Sequence, residues 1–434
     1  MNTDAVVKLW GNPIGAVTWD DEQSIGVFQY MPEFLPSRIE LSPLMMPLAA
    51  YPYSFPALAR ETFHGLPGLL ADSLPDKWGN AVINAWLDAQ GRQRSSVNPV
   101  ERLCYIGSRG MGGLEFEPAL FSGSASRSRV VHVENLVNLA NKILAVRGEL
   151  AGVLSGEDDR AALESILRVG TSAGGARAKA ILAWNPATGK FRSGQLPADS
   201  GYEYWIMKFD GVSNNRDKEL ADPRGFGKIE YAYALMAHEA GILMMPCRIH
   251  AEQNRRHFMT KRFDRTDTGE KIHMQSLGAM AHFDYNLPAA YSYEQAIQVM
   301  RRLGLPREDL EQQVLRAFFN IIARNQDDHV KNIAFLMDRS GTWRLSPAYD
   351  VTYAFDPQGM WTSRHQMSIN GKREDFLRED LLGFAEYCGM KSSPARQMLE
   401  HVLQVVNRWE TFAEQAEVDG KDITRIKATH RLDI

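Results

Sequence analysis

The stretch Asp327-Asp328-His329-Val330-Lys331-Asn332 sets an acid and a carboxamide five positions apart, and a further acid, Asp350, follows eighteen positions later. An acid on a fixed loop can accept a hydroxyl proton or orient the hydroxyl. An amide oxygen with a second carboxylate is a donor set suited to Mg²⁺. The chemistry such a trio would perform is phosphoryl transfer, where positioning and charge neutralisation do nearly all the work. The same six residues also fit a solvated, charged turn after a helix. The intervening sequence bears on the choice. Residues 333–336 and 342–345 read as strands around Asp338-Arg339-Ser340-Gly341, so a hairpin carries the chain to Ser346-Pro347-Ala348-Tyr349-Asp350.

Protein kinases use the same order: a catalytic Asp, an Asn after four intervening residues, and a metal-holding Asp beyond a short hairpin. The other side of such a site needs groups for phosphate. Gly170-Thr171-Ser172-Ala173-Gly174-Gly175-Ala176 is rich enough in glycine for backbone N–H groups to approach phosphate closely. It lacks the Gly-Lys-Ser/Thr ending of a P-loop. Ala180-Ile181-Leu182-Ala183-Trp184 after it reads as a strand, and a strand–loop–strand frame is the kinase way of covering ATP. Alone, a glycine cluster equally fits a flexible hairpin turn.

Lys208 sits in Tyr204-Trp205-Ile206-Met207-Lys208-Phe209, an aromatic and aliphatic strand in which its charge needs a partner. A phosphate and Glu230, near the start of the next helix, are candidates. A strand-edge lysine reaching to water is the plainer alternative, and Lys179 competes for the phosphate role. Lys261-Arg262-Phe263-Asp264 ends a strand where two lobes would join, so its backbone could meet an adenine edge. No second histidine stands at metal-site spacing from His329, since His273 and His282 lie far upstream; its expected role is to fix the loop.

The elements that must position these residues are partly legible. Residues 6–10, 14–19 and 25–30 read as strands, the first two separated by Gly11-Asn12-Pro13. A helix is expected after Leu74-Pro75-Asp76, with Trp78, Val82, Ile83, Trp86 and Leu87 on one face. Residues 166–210 read as β signals around the glycine-rich turn. Residues 229–240 read as a helix closed by Gly241, and residues 248–263 as two strands. Beyond residue 285 the pattern is mainly helical, with helices through Leu310 to Ile322 and Met398 to Trp409. Ser122-Gly123-Ser124-Ala125-Ser126-Arg127-Ser128 is the best linker, placing a boundary near residue 125.

Composition adds bounds. The chain has 434 residues, 44% hydrophobic and 24% charged, with a net charge of −4, which argues against a protein that coats nucleic acid by bulk charge. Three separated cysteines and no CxxC pair suit a reducing compartment. Neither a signal peptide nor an apolar run of membrane-spanning length is seen, so a cytoplasmic protein without a membrane partner is expected.

Taken together, these motifs resemble the HipA family of serine/threonine kinases, the toxins of HipBA-type toxin–antitoxin systems. The resemblance runs through the N-terminal strands, Leu74-Pro75-Asp76, Ile106-Gly107-Ser108-Arg109, Gly112-Gly113, the loop to Lys179, Lys208, Arg262-Phe263-Asp264-Arg265, and the 327–332 and 347–350 stretches. It implies an α+β, protein-kinase-like (PI3/4-kinase-like) two-lobed fold. Residues 1–125 would form an extra N-terminal α/β subdomain, 126–265 the N-lobe with its glycine-rich loop, and 266–434 a helical C-terminal lobe.

It also implies ATP and Mg²⁺. Asp327 would be the catalytic acid, with His329 beside it, and Asn332 and Asp350 the metal ligands. Ser172, Ala173, Gly174, Gly175, Lys179, Lys208, Lys261, Phe263 and Asn332 would bind the nucleotide. Ser172 would be the autophosphorylation site that silences the enzyme, with Thr171 beside it as the other acceptor. The family partners are a small helix-turn-helix antitoxin (HipB-like), DNA only through that antitoxin, and protein substrates that include aminoacyl-tRNA synthetases. Asp328 departs from the glycine usual at its position and is expected to add a charge beside the transferring phosphoryl group. Arg177-Ala178 replaces the Gln-Glu of some members. Other readings of the residues are a catalytically weak co-repressor acting with a DNA-binding partner, and a phosphohydrolase using Asp327, Asp328 and Asp350.

Overall fold

The computed structural model describes residues 3–120, 131–145, 157–170, 177–195, 198–212 and 225–434. The linker at 122–128 and the glycine-rich residues 171–176 lie outside them, and so do Thr171, Ser172, Ala173, Gly174 and Gly175 as expected site residues. Strands β1 (Asp4–Leu9), β2 (Asn12–Asp20), β3 (Ile25–Tyr30) and β4 (Leu114–Glu117) form an antiparallel sheet in the order β3-β2-β1-β4. Alternation drives it: Ala5, Val7 and Leu9 of β1 are buried while their neighbours are not.

A second antiparallel sheet holds β5 (Lys179–Trp184), β6 (Phe191–Ser193), β7 (Glu203–Lys208), β8 (Cys247–Glu252) and β9 (Arg255–Lys261) in the order β6-β5-β7-β9-β8. The register sets Lys179 opposite Lys208 across β5 and β7. A third sheet, β10 (His273–Ser276), β11 (Ala334–Met337) and β12 (Trp343–Leu345), contains the hairpin expected between Asn332 and Asp350. The helices Arg307–Ile322, Arg378–Tyr387 and Ser392–Asn407 pack on one another and share one core with it.

Packing does not follow the sequence boundary near residue 125. The helix Lys77–Ala89 starts on Asp76, whose carboxylate accepts the Gly79 N–H at 2.7 Å. Its Trp78, Val82, Ile83 and Leu87 join the helices Val133–Ala145 and Glu157–Gly170 and the β5–β7 face in one core. The first sheet packs instead into the other core, with the helices of the C-terminal half. Hydrogen bonds span the same divide: Trp343 Nε1 donates to the Glu40 carbonyl at 3.1 Å, and Ser276 Oγ to Asp72 at 2.7 Å.

One expectation fails. A helix, Glu157–Gly170, precedes the glycine-rich loop where a strand was expected, so the frame is helix–loop–strand. Buried Leu163, Ile166, Leu167 and Gly170 recur at helical spacing and cover the helix Lys77–Ala89. Apolar residues with few polar interruptions look alike in both periods over so short a run.

Candidate active site

Lys208 ends β7 with its ammonium between two acids. Nζ lies 2.5 Å from Glu230 Oε1 and 2.5 Å from Asp350 Oδ1. Glu230 comes from the helix Phe226–Glu239, which lies close against β9. A Cβ on Gly227 would stand 2.6 Å from the Arg256 carbonyl oxygen, so only glycine permits that approach. Asp210 fixes the helix start by accepting the Gly225 and Arg256 N–H groups at 3.0 and 2.8 Å. Burial works against the Lys208 charge, but Asp350 and Glu230 outweigh it and keep the ammonium protonated above its ordinary range. Burial likewise opposes charge on Asp350, yet Lys208 prevails and its pKa is pushed down to about 2. A third of the Asp350 side chain remains exposed. Its backbone takes a left-handed φ of +53°, a conformation a non-glycine residue holds only under constraint.

The 327–332 stretch faces this group. After the helix Arg307–Ile322, residue 325 forms a parallel bridge with Ala354, and the Gln326 N–H donates to the Ala354 carbonyl at 3.1 Å. The Asp327 side chain is half exposed. Asn332 Nδ2 donates to the Asp327 carbonyl at 2.8 Å, which leaves its Oδ1 as an acceptor. Tyr349 donates to the Lys331 carbonyl at 2.6 Å, tying Asp350's neighbour to the same loop. Asp327, Asn332 and Asp350 line one cavity of about 30 Å³, room for a water or a small cation but not a nucleotide. His329 Nε2 lies 3.8 Å from Asp327 Oδ1, and its ring leans on Tyr285 at 5.8 Å. Among the described residues no three His, Cys, Asp or Glu side chains cluster as a metal site. A cation here would take one carboxylate and one amide oxygen from the protein, which is the Mg²⁺ pattern of few protein ligands plus phosphate and water.

Other expected residues fall elsewhere. Lys179 has a carboxylate from the N-terminal region close by: it is buried with Asp76 3.7 Å away, and burial lowers its pKa. Lys261 ends β9 with its ammonium 2.9 Å from Asp267. The Phe263 ring lies 5.6 Å from that of Tyr349.

Asp328 corrects a further expectation. It borders the same cavity as Asp327, Asn332 and Asp350, but its carboxylate is taken up by core donors and is not free to act as a third metal carboxylate for a phosphohydrolase. Its side chain is 1% exposed and turned into the C-terminal core. There it accepts the Tyr293 hydroxyl at 2.8 Å and the Gln366 N–H at 2.7 Å, and bonds His365 Nδ1 at 2.8 Å. Burial resists its ionisation, but His365 and the other donors hold its carboxyl below the usual range. Asp327 is half exposed and Asp328 buried, so the two neighbours divide surface and core between them.

The 262–265 turn holds more than a strand end. Arg262 pairs with Asp264 through Nε and Nη2 at 2.8 and 2.7 Å, and Arg265 adds a contact at 2.7 Å. The same carboxylate accepts the Gly112 N–H at 2.8 Å, and Arg265 reaches the Gly110 carbonyl at 3.1 Å. Burial alone would neutralise Asp264, but the two guanidiniums hold it well below the carboxylate range. Sequence reading did not find this knot, the Asp76–Lys179 pair or the partners of Asp328. Their members stand far apart in sequence, and no motif spacing links them.

A catalytic-type loop, a hairpin-borne acid and a strand lysine paired to a helix acid define a kinase-like protein of α+β class. The chain matches the HipA N-terminal domain over residues 5–117 and the HipA-like C-terminal domain over residues 171–409, and it belongs to the HipA family. The fold agrees with that of HipA from Shewanella oneidensis MR-1, solved with HipB and operator DNA: TM-score 0.69, 15% identity, covering 98% of this chain and 95% of that one. The Helicobacter pylori proinflammatory kinase CtkA aligns at a TM-score of 0.33 and 11% identity, covering 59% of this chain and 92% of that one, too distant to carry an argument. No curated protein sequence matches the chain. Among the described residues no helix is long and apolar enough to cross a membrane.

Proposed function

We propose that this protein is an ATP- and Mg²⁺-dependent serine/threonine protein kinase acting as the toxin of a toxin–antitoxin pair. The observation that carries the reading is Lys208 held between Glu230 and Asp350, opposite Asp327 and Asn332. Lys208 would exchange its Asp350 contact for nucleotide phosphate while Glu230 keeps it in place. Asp350 and the Asn332 amide oxygen would hold Mg²⁺, which when bound neutralises charge on the transferring group. Asp327, free of a core partner, would orient the acceptor hydroxyl and take its proton. The backbone at Lys261 and Phe263 would face the adenine, and the loop carrying Gly174 and Gly175 would cover the phosphates. Ser172 or Thr171 would receive the silencing phosphate.

The fold shared with the Shewanella HipA supports a small HipB-like antitoxin as partner, with DNA reached through it. A weak co-repressor is the second reading, but the completeness of the Lys208 cluster favours catalysis. The test is mass spectrometry after incubation with ATP·Mg²⁺. Phosphate on Ser172 or Thr171 in the wild type, and its absence in Asp327→Ala, is the expected result. Equal labelling of both proteins, or none in either, overturns the reading.

A further inference from the structure

Asp328 sits next to the residue proposed to do the chemistry, yet its carboxylate is tied into a buried hydrogen-bonded chain. Asn325 Nδ2 donates to Asn320 Oδ1 at 2.9 Å, Asn320 Nδ2 to the Tyr293 hydroxyl at 3.1 Å, and that hydroxyl to Asp328 Oδ2 at 2.8 Å. On the other side His365 Nδ1 lies 2.8 Å from Asp328 Oδ2, and Arg431 Nη1 lies 2.9 Å from His365 Nε2. Arg431 also grips the Ile321 carbonyl at 2.8 Å and Gln326 Oε1 at 3.3 Å. The chain therefore starts and ends on residues that flank Asp327, at the helix end before it and in the loop itself.

The chemistry of the three central members leaves one arrangement. An arginine only donates and an ionised aspartate only accepts, so the imidazole between them carries its proton on Nδ1 and presents a bare Nε2. Burial also keeps His365 neutral, against the pull of Asp328. The His365 side chain is fully buried, and Phe376 packs edge-on at 5.4 Å, so the ring has no room to turn. We propose that His365 is a positioning residue: as a neutral, Nδ1-protonated bridge from Arg431 to Asp328, it fixes the main chain at 327–328 and thereby aims the Asp327 carboxylate. The hydrogen bond from Asn332 to the Asp327 carbonyl would transmit the same setting to Asn332. This inference rests on the kinase reading for its activity test but not for its structural one.

The experiment compares His365→Leu, which removes both bonds, with His365→Gln, whose amide can donate to Asp328 and accept from Arg431. In an active wild type, His365→Leu should lower kcat about tenfold or more with KM for ATP within about twofold. His365→Gln should recover kcat to within about threefold of wild type. A structural filler would not give this split or this rescue. Unchanged kcat in His365→Leu, or an equal loss in His365→Gln, overturns the proposal. Should His365→Leu fail to fold, Tyr293→Phe removes one donor to Asp328 with little change in shape, and an unaltered kcat there overturns it equally. If wild-type protein transfers no phosphate, the kinase reading fails. The positioning is then judged by the Asn332 side-chain amide resonance, which should shift and lose exchange protection in His365→Leu. An unmoved resonance overturns the proposal.

Discussion

The cleft at Lys208 and the hinge at residues 262–265 are each centred on three charges in hydrogen-bond contact, with the proportions reversed. In the cleft one cation, Lys208, serves two carboxylates; at the hinge one carboxylate, Asp264, serves two guanidiniums. The cleft group keeps an open edge, because a third of the Asp350 side chain is exposed. At the hinge, Arg262 and Asp264 have no exposed side-chain surface, and the carboxylate takes a backbone N–H as well. A cluster with an open edge can trade one partner for phosphate or a cation. A sealed and satisfied cluster trades nothing, and losing one member strands the others in low dielectric. Residue type alone does not assign a salt bridge to chemistry or cohesion; access to water does.

The contrast can be broken first at the hinge. Asp264→Ala leaves two buried arginines uncompensated and should cost about 3–5 kcal/mol of stability in chemical denaturation. A loss no greater than that of Lys208→Met would remove the distinction. Lys208→Met should cost less, about 1–3 kcal/mol, because Asp350 can turn to water and Arg177 stands 3.7 Å from Glu230. The same variant should lose nucleotide affinity in calorimetry, whereas a stable Asp264 variant should retain it.

Acid should weaken the support of the cleft next. His257 accepts the Asp210 N–H at 2.9 Å, and burial pushes its pKa down to about 4. An unfolded histidine titrates near 6.5, so the unfolded chain binds the proton more tightly and stability is full only above about pH 6.5. Stability should fall as pH drops from there toward 4, by about 1–2 kcal/mol at pH 5 for this residue. Comparing wild type with His257→Gln across that range isolates the contribution; parallel curves would refute it. Smallest is Asp327→Ala, which should change stability by no more than about 0.5 kcal/mol, since a half-exposed side chain with no core partner is removed. A larger loss would mean that Asp327 is structural like its neighbour.

Much of this was legible in the sequence where local pattern governs. The strands at the N-terminus, the hairpin before Asp350, Asp76 as a helix start and Gly241 as a helix stop all rest on turn and capping chemistry spanning a few residues. The encounter of Lys208, Glu230 and Asp350 was open to inference because motif order tied them together. The inward turn of Asp328 was not. Its partners Tyr293, His365 and Gln366 stand 35, 37 and 38 residues away, and nothing in their spacing distinguishes them from ordinary core polar residues. The helix before the glycine-rich loop was misread because tertiary packing against Lys77–Ala89 decided between two periods that the apolar residues alone did not separate.

The shared core of the first sheet and the C-terminal helices has a consequence for biosynthesis. Glu40 waits for Trp343, 303 residues later, and Asp72 for Ser276, 204 residues later. The helix Pro99–Ile106 already packs on β1, β2 and β4, but at about 5–20 residues per second that gap of some 300 residues leaves these two contacts unmade on the ribosome for roughly 15–60 s. The N-terminal half is thus completed only by residues made late in translation, and slow codons in the second half should lower soluble yield more than slow codons in the first.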